Sequence, residues 1–149
     1  MNISKANTGI IVAIAALWIA CIVLGTKGHF VIAMCLGVIL MFLHMLLGLA
    51  DNGVVSKKFL IYPVIIWAVL WLLSFILSGY YATKFAGTMP DFTFLGLHPS
   101  FAPTVFLYWI GGQLTLNLGL FLFSDEWLSE AKWNDFCEKA RKIREGKKS

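Results

Sequence analysis

Gln113 and Asn117 stand one helical turn apart in residues 108–123, a run reading YWIGGQLTLNLGLFLF that carries no formal charge. A side-chain amide has a carbonyl that accepts and an NH2 that donates. Two on one helix face can therefore bind each other, a polar solute, or a cation through oxygen, without burying a charge. Thr115 lies between them and adds a hydroxyl. His44, in another uncharged run, adds an imidazole that can hydrogen-bond or relay a proton. The chemistry these groups suit is recognition or passage rather than bond making. The sequence has no intramembrane acid pair, no His-x-x-x-His, no Cys-x-x-Cys and no nucleophile with an evident base.

The surrounding solvent decides what the amides must do. Of 149 residues, 59% are hydrophobic and 13% charged, with a mean hydropathy of +0.79, more apolar surface than a water-soluble fold can hide. Four stretches lack any Lys, Arg, Asp or Glu: residues 9–25, 30–50, 59–82 and 101–123. Each approaches the roughly 20 residues that a helix needs to cross a hydrocarbon core of about 30 Å. A barrel would instead show alternating strands of about ten residues. The expected fold is an all-α integral membrane protein, with a four-helix transmembrane domain over residues 1–123 and an amphipathic basic tail over 124–149. No small-x-small cleavage site follows the first stretch, so it is read as a retained helix.

Charge sets the expected orientation. Lys5, Lys57, Lys58 and seven basic residues after position 123 fall on one side of the four crossings, and only Lys27 and Lys84 on the other. This bias predicts a multi-pass protein of a bacterial-type inner (plasma) membrane with both termini cytoplasmic. The net charge of +4 then reflects topology and anionic lipid headgroups, with no nucleic-acid partner implied. In the tail, Ser124 is placed to cap a helix whose first turn holds Asp125 and Glu126. Trp133, Phe136, Cys137, Ala140 and Ile143 share one side of it, the pattern of a helix lying on the cytoplasmic surface.

Between the third and fourth spans, the outer segment 83–100 carries Phe85, Phe92, Phe94, Leu95 and Leu97 among Gly and Pro residues. It reads either as an aromatic-anchored interfacial loop or as a lid over the bundle. His29, His98 and Asp91 fall near the same face, where a metal or haem site is a third-ranked alternative. No cofactor is expected. Cys21 and Cys35 read as small buried hydrophobes, and Cys137 as a reduced cytoplasmic thiol.

At about 100° per residue, Gly111, Gly112, Thr115 and Gly119 fall in one sector of the fourth span, with Gln113 and Asn117 roughly opposite. The small-residue face suits close helix packing, and Gly9, Ala13, Ala16 and Ala20 form a matching stripe on the first span, so these two spans are expected to meet or to serve an oligomer contact. The amides, if turned to lipid, would lack partners at a cost of several kcal/mol. They act either as interhelical glue or as the lining of a path for an ion or polar solute. His44 shares a face with Ala33, Gly37, Met41 and Gly48, and is expected to be neutral, turned toward protein and bonded internally. Trp67, Trp71, Ser74 and Ser78 align on the third span, as a packing stripe or a stacking surface.

The second half of the chain, through IYPVIIWAVLWLLSFILSGYYA, FLGLHPSFAPTVFLYWIGGQL and FLFSDEWL, resembles the small two-helix membrane proteins encoded beside bacterial sodium:solute symporters. Trp67, Trp71, Gly96, Pro99, Tyr108, Trp109 and Asp125 stand at the comparable places. The resemblance covers about half the chain. It implies a role in solute transport, with a larger membrane transporter as partner and no catalytic residue carried over. The expectation is thus a transporter subunit, or a homo-oligomer forming the pathway, with Gln113, Asn117, Thr115 and His44 as its polar patch. The alternatives are a non-transporting assembly or scaffold subunit and, third, a redox or metal-binding membrane protein.

Overall fold

The computed structural model describes residues 6–50, 53–127 and 129–146. Among these, the chain is helical except for its connections and one isolated bridge between Phe94 and Leu97. Four helices are long and apolar enough to cross a membrane: α1 (Asn7–Thr26), α2 (Phe30–Gly48), α3 (Lys57–Lys84) and α4 (Thr104–Leu122). A charged fifth helix, α5 (Glu130–Gly146), follows. The described chain is therefore all-α, compatible with a membrane protein, and these four helices fall within a few residues of the four uncharged stretches.

The first hairpin is set by a helix stop. The His29 N–H reaches back to the Leu24 carbonyl (2.9 Å) and the Gly28 N–H to Gly25 (3.1 Å), satisfying carbonyls the helix end would orphan. Gly28 takes the required left-handed turn at φ +83°. The chain thus reverses within three residues and lays α2 along α1, and the Cys21 thiol donates across the hairpin to the Ala33 carbonyl.

The helices pack serially: α1 on α2, α2 on α3, α3 on α4. Gly79 of α3 lets Val31 of α2 approach so closely that a Cβ there would lie 2.6 Å from a Val31 methyl. At the other end of this pair, Leu46 and Val55 form a small buried cluster with Ile10, Leu47 and Leu60 around them. The small face of α4 meets α3, so the expected seam between α1 and α4 is not the packing observed. Ala13 and Ala16 remain exposed, and Ala20 is half-buried.

Two of the spans depart from a regular ladder. In α3 the helix is interrupted at Tyr62 (φ −122°, ψ 114°) before the cis bond to Pro63, and the Ile66 N–H bonds five residues back to Ile61. Proline lacks the N–H that a continuous helix would use. In α4 the Gly111 N–H reaches Phe106 and the Leu118 N–H reaches Gln113, both also five residues back. These wider π turns displace carbonyls from the ladder and make them available to side chains of a neighbour.

The segment linking α3 and α4 folds onto the end of α3. Phe85 is buried and meets Tyr81, Phe92 and His98 at ring-centroid distances of 6.2, 6.0 and 6.2 Å. Phe94 and Leu97 exchange both backbone hydrogen bonds, closing a turn at Leu95 (φ +49°) and Gly96 (φ +80°). After α4, a single helical turn spans Ser124–Trp127, and α5 begins at Glu130. The cap of the long helix is therefore Ser129, whose Oγ accepts from the Lys132 N–H, rather than Ser124. In α5, Lys139–Asp135, Lys142–Glu138 and Arg141–Glu145 pair along the polar side, while Trp133, Phe136 and Ile143 stay exposed.

Candidate functional site

The site is built where α3 and α4 meet, and four side chains of α3 hold it. The Tyr62 hydroxyl donates to the Leu114 carbonyl (2.8 Å), the Trp71 indole N–H to Tyr108 (3.2 Å) and the Ser74 hydroxyl to Pro103 (3.0 Å). Ser78 and Thr104 share a fourth bond at 3.3 Å. Tyr108 and Leu114 both lie in π turns, where displaced carbonyls can take such donors. The expected stripe of Trp67, Trp71, Ser74 and Ser78 is thus a packing face against α4.

Close approach makes these bonds reachable. A Cβ on Gly112 would lie 3.0 Å from the Trp71 indole nitrogen, one on Gly111 3.0 Å from a Leu70 methyl, and one on Gly119 2.5 Å from the Pro63 ring. Thr115 belongs to this same side. It is buried, and its hydroxyl is spent on the Gly111 and Gly112 carbonyls (2.8 and 3.2 Å) of its own helix. It does not join the amides.

Gln113 and Asn117 occupy the other side of α4, and both are exposed. The Asn117 amide donates to the Gln113 side-chain oxygen. Among the described residues that bond leaves the Gln113 NH2, the Asn117 carbonyl and the second Asn117 N–H without a protein partner. Beside them runs a groove of about 270 Å³ between α3 and α4, lined by Trp71, Tyr108, Trp109 and Gly112 with the two amides on its rim. Its lining is largely aromatic: Trp71 meets Tyr108 at 4.0 Å and Trp67 at 4.6 Å, with the rings tilted by 31° and 50°. Trp67 is fully buried, and among the described residues its indole N–H has no hydrogen-bond partner, a desolvated donor that costs about 1–3 kcal/mol.

His44 lies elsewhere. It is exposed on α2 rather than turned into protein, although its internal bond forms as expected: Nδ1 lies 2.9 Å from the Leu40 carbonyl. A carbonyl only accepts, so Nδ1 carries the proton and a neutral ring presents Nε2 as an acceptor. No hydrogen bond joins it to the α4 amides. The structure brings Gln113 and Asn117 together, places Thr115 on the opposite face, and keeps His44 on a different helix. Gly37, on the His44 face, borders a separate apolar groove of about 290 Å³ with Trp18 and Trp71.

Among the described residues no three His, Cys, Asp or Glu side chains gather as a metal-binding group. The His98 Nδ1 accepts from the Ser100 N–H (3.2 Å) and the Ser100 hydroxyl (2.7 Å), so it closes the turn that opens α4. Cys21, Cys35 and Cys137 are free thiols.

What the sequence did not show is the bond from Tyr62 to Leu114. It depends on a backbone break at Tyr62 and a π turn at Leu114, neither of which has a periodic signature. Comparison of the chain with protein-family models, curated proteins and solved structures gives no match.

Proposed function

We propose that this protein is a small subunit of a solute or ion transport system in a bacterial-type inner membrane, with α4 supplying neutral amide ligands to a path shared with another chain. The observation that carries this reading is the exposed Gln113–Asn117 pair, halfway along a span and open to whatever lies beside α4. Lipid tails cannot take its unused donors and acceptor. A hydrated path, a polar solute or a cation can, and a neutral amide binds each without the cost of a buried charge. The Lys and Arg bias supports a cytoplasmic side for both termini and α5. The resemblance to symporter-associated membrane proteins points the same way.

A second reading is a non-transporting assembly subunit. It draws on the same hydrogen bond, since the two amides already partly satisfy each other as packing groups do. Proteoliposomes separate the two. Uptake of radiolabelled sodium and of radiolabelled neutral amino acids is measured for the native chain and for Gln113→Leu combined with Asn117→Leu. Loss of most uptake with assembly unchanged supports the path. Loss of assembly alone, or no uptake by the native chain with or without a co-expressed symporter, gives the scaffold reading.

A further inference from the structure

Resting on the reading that another chain completes the exposed face of α4, we infer that this chain is a second copy of the protein, docked α4 against α4 about a twofold axis along the bilayer normal. The amide pair of each protomer then bonds the amide pair of the other.

The helix has one side committed and one side free. Gly111, Gly112, Thr115 and Gly119 are turned to α3, and α4 ends the serial row. Ile110, Gln113, Leu114, Asn117, Leu118 and Phe121 are exposed on the remainder. Apolar members of this set are satisfied by lipid. The amides are not, and their unused groups are of both kinds: donors on Gln113 and Asn117, an acceptor on Asn117.

A mixed donor–acceptor patch is complementary to itself. A twofold axis along the membrane normal keeps depth unchanged, so Gln113 and Asn117 of one protomer meet the same residues of the other at the same level. Ile110, Gln113 and Asn117 follow one another at intervals of three and four, the spacing of a helix–helix seam, where a polar residue fixes register. The groove beside the amides, about 270 Å³, leaves room for the partner's side chains.

The competing arrangement places α4 of one copy on the exposed Ala13 and Ala16 stripe of the next α1, which would extend the row without closing it. That stripe offers no side-chain donor or acceptor to the amides. The twofold pairing satisfies them, and it closes.

The test is subunit counting by single-molecule photobleaching of the full-length, dye-labelled chain in dilute lipid vesicles. The native chain is expected to bleach in two steps. Gln113→Leu with Asn117→Leu is expected to bleach mainly in one, with dimer affinity lowered on the order of tenfold for the loss of two or more membrane hydrogen bonds. Exchanging the amides, Gln113→Asn with Asn117→Gln, keeps the donors and acceptors and is expected to keep two steps. Asn117→Cys is expected to form a covalent dimer on oxidation, and Ala16→Cys is not. A native chain that bleaches in one step at every protein-to-lipid ratio overturns the inference, as does a ladder of larger species or a leucine variant that pairs as well as the native chain. The transport reading fails separately. A stable dimer that moves no radiolabelled solute, alone or with the symporter, removes transport and leaves the pairing intact, and a transporting monomer does the reverse.

Discussion

Gly119 of α4 sits against the ring of Pro63 in α3 so closely that a side chain at position 119 would place its Cβ 2.5 Å from the proline Cβ and 2.6 Å from Cγ. Both partners are rigid: a proline ring cannot rotate away, and Gly119 is buried within a helix. The contact sits near the Tyr62–Leu114 bond, at the end of the α3–α4 seam that has no hairpin turn to hold it.

Gly119→Ala is therefore expected to lower stability by about 1–3 kcal/mol, the usual cost of overpacking a tight contact. Gly37→Ala is the control, because a Cβ there meets nothing within 4 Å. It is expected to be neutral or slightly stabilising, since alanine favours helix over glycine by about 1 kcal/mol. Thermal unfolding in detergent, followed by circular dichroism, reads both.

Tyr62→Phe removes one hydroxyl and keeps the ring, whose edge meets Phe123 at 6.1 Å. The expected cost is about 1 kcal/mol, the net value of one hydrogen bond. Ser74→Ala is expected to cost as much or more, because Ser74 is fully buried and its loss leaves the Pro103 carbonyl with one donor fewer. The two changes lie twelve positions apart on α3, so their effects are expected to add in the double variant. Denaturation in mixed detergent, with a cycle of single and double variants, measures this.

Phe85→Ala is expected to release the segment between α3 and α4. Phe85 is the buried ring on which Tyr81, Phe92 and His98 converge, and its removal withdraws on the order of 3 kcal/mol of packing from that end. Limited proteolysis from that side of sealed vesicles is expected to cut the variant near Met89 and Leu95 well before the native chain. Both residues already project into the open. Equal digestion of both forms would show that the cluster does not hold the segment.

The face of α5 that carries Cys137 can be read without mutation. Cys137 is exposed in the folded chain beside Phe136 and Ala140. If this face lies on the bilayer, a membrane-impermeant maleimide is expected to label Cys137 several-fold more slowly in anionic vesicles than in neutral detergent, with high salt restoring part of the rate. On the polar side, the hydrogen bond and charge of Asp135 raise the Lys139 ammonium above its ordinary value. Whatever this pair adds to helicity is present at neutral pH and is lost as pH rises through the elevated lysine value, so labelling is expected to show no pH step between about 6 and 8 from this source.

The four long apolar helices were legible because hydrophobic length is a property of composition alone. The two faces of α4 were legible too, since Gly112, Thr115 and Gly119 separate from Gln113 and Asn117 on any helical projection. Which helix each face would meet was not. The Ala13 and Ala16 stripe suggested α1, but a small-residue stripe states only that something can come close, and Pro63 of α3 is what came. The placement of His44 went astray for a related reason, since small neighbours permit packing without enforcing it and the ring stays exposed, while its expected internal bond forms at the Leu40 carbonyl. Ser129 takes the cap role expected of Ser124 because the long helix begins at Glu130, where the Lys132 N–H meets the Ser129 hydroxyl.

The serial order of the helices has a consequence for biogenesis. Each span leaving the ribosome finds its main contact already present in the span made just before it, so no early helix must wait, half-covered, for a distant latecomer. The fourth span carries the exposed amide pair, so the three spans before it can settle against one another before that polar pair joins the row.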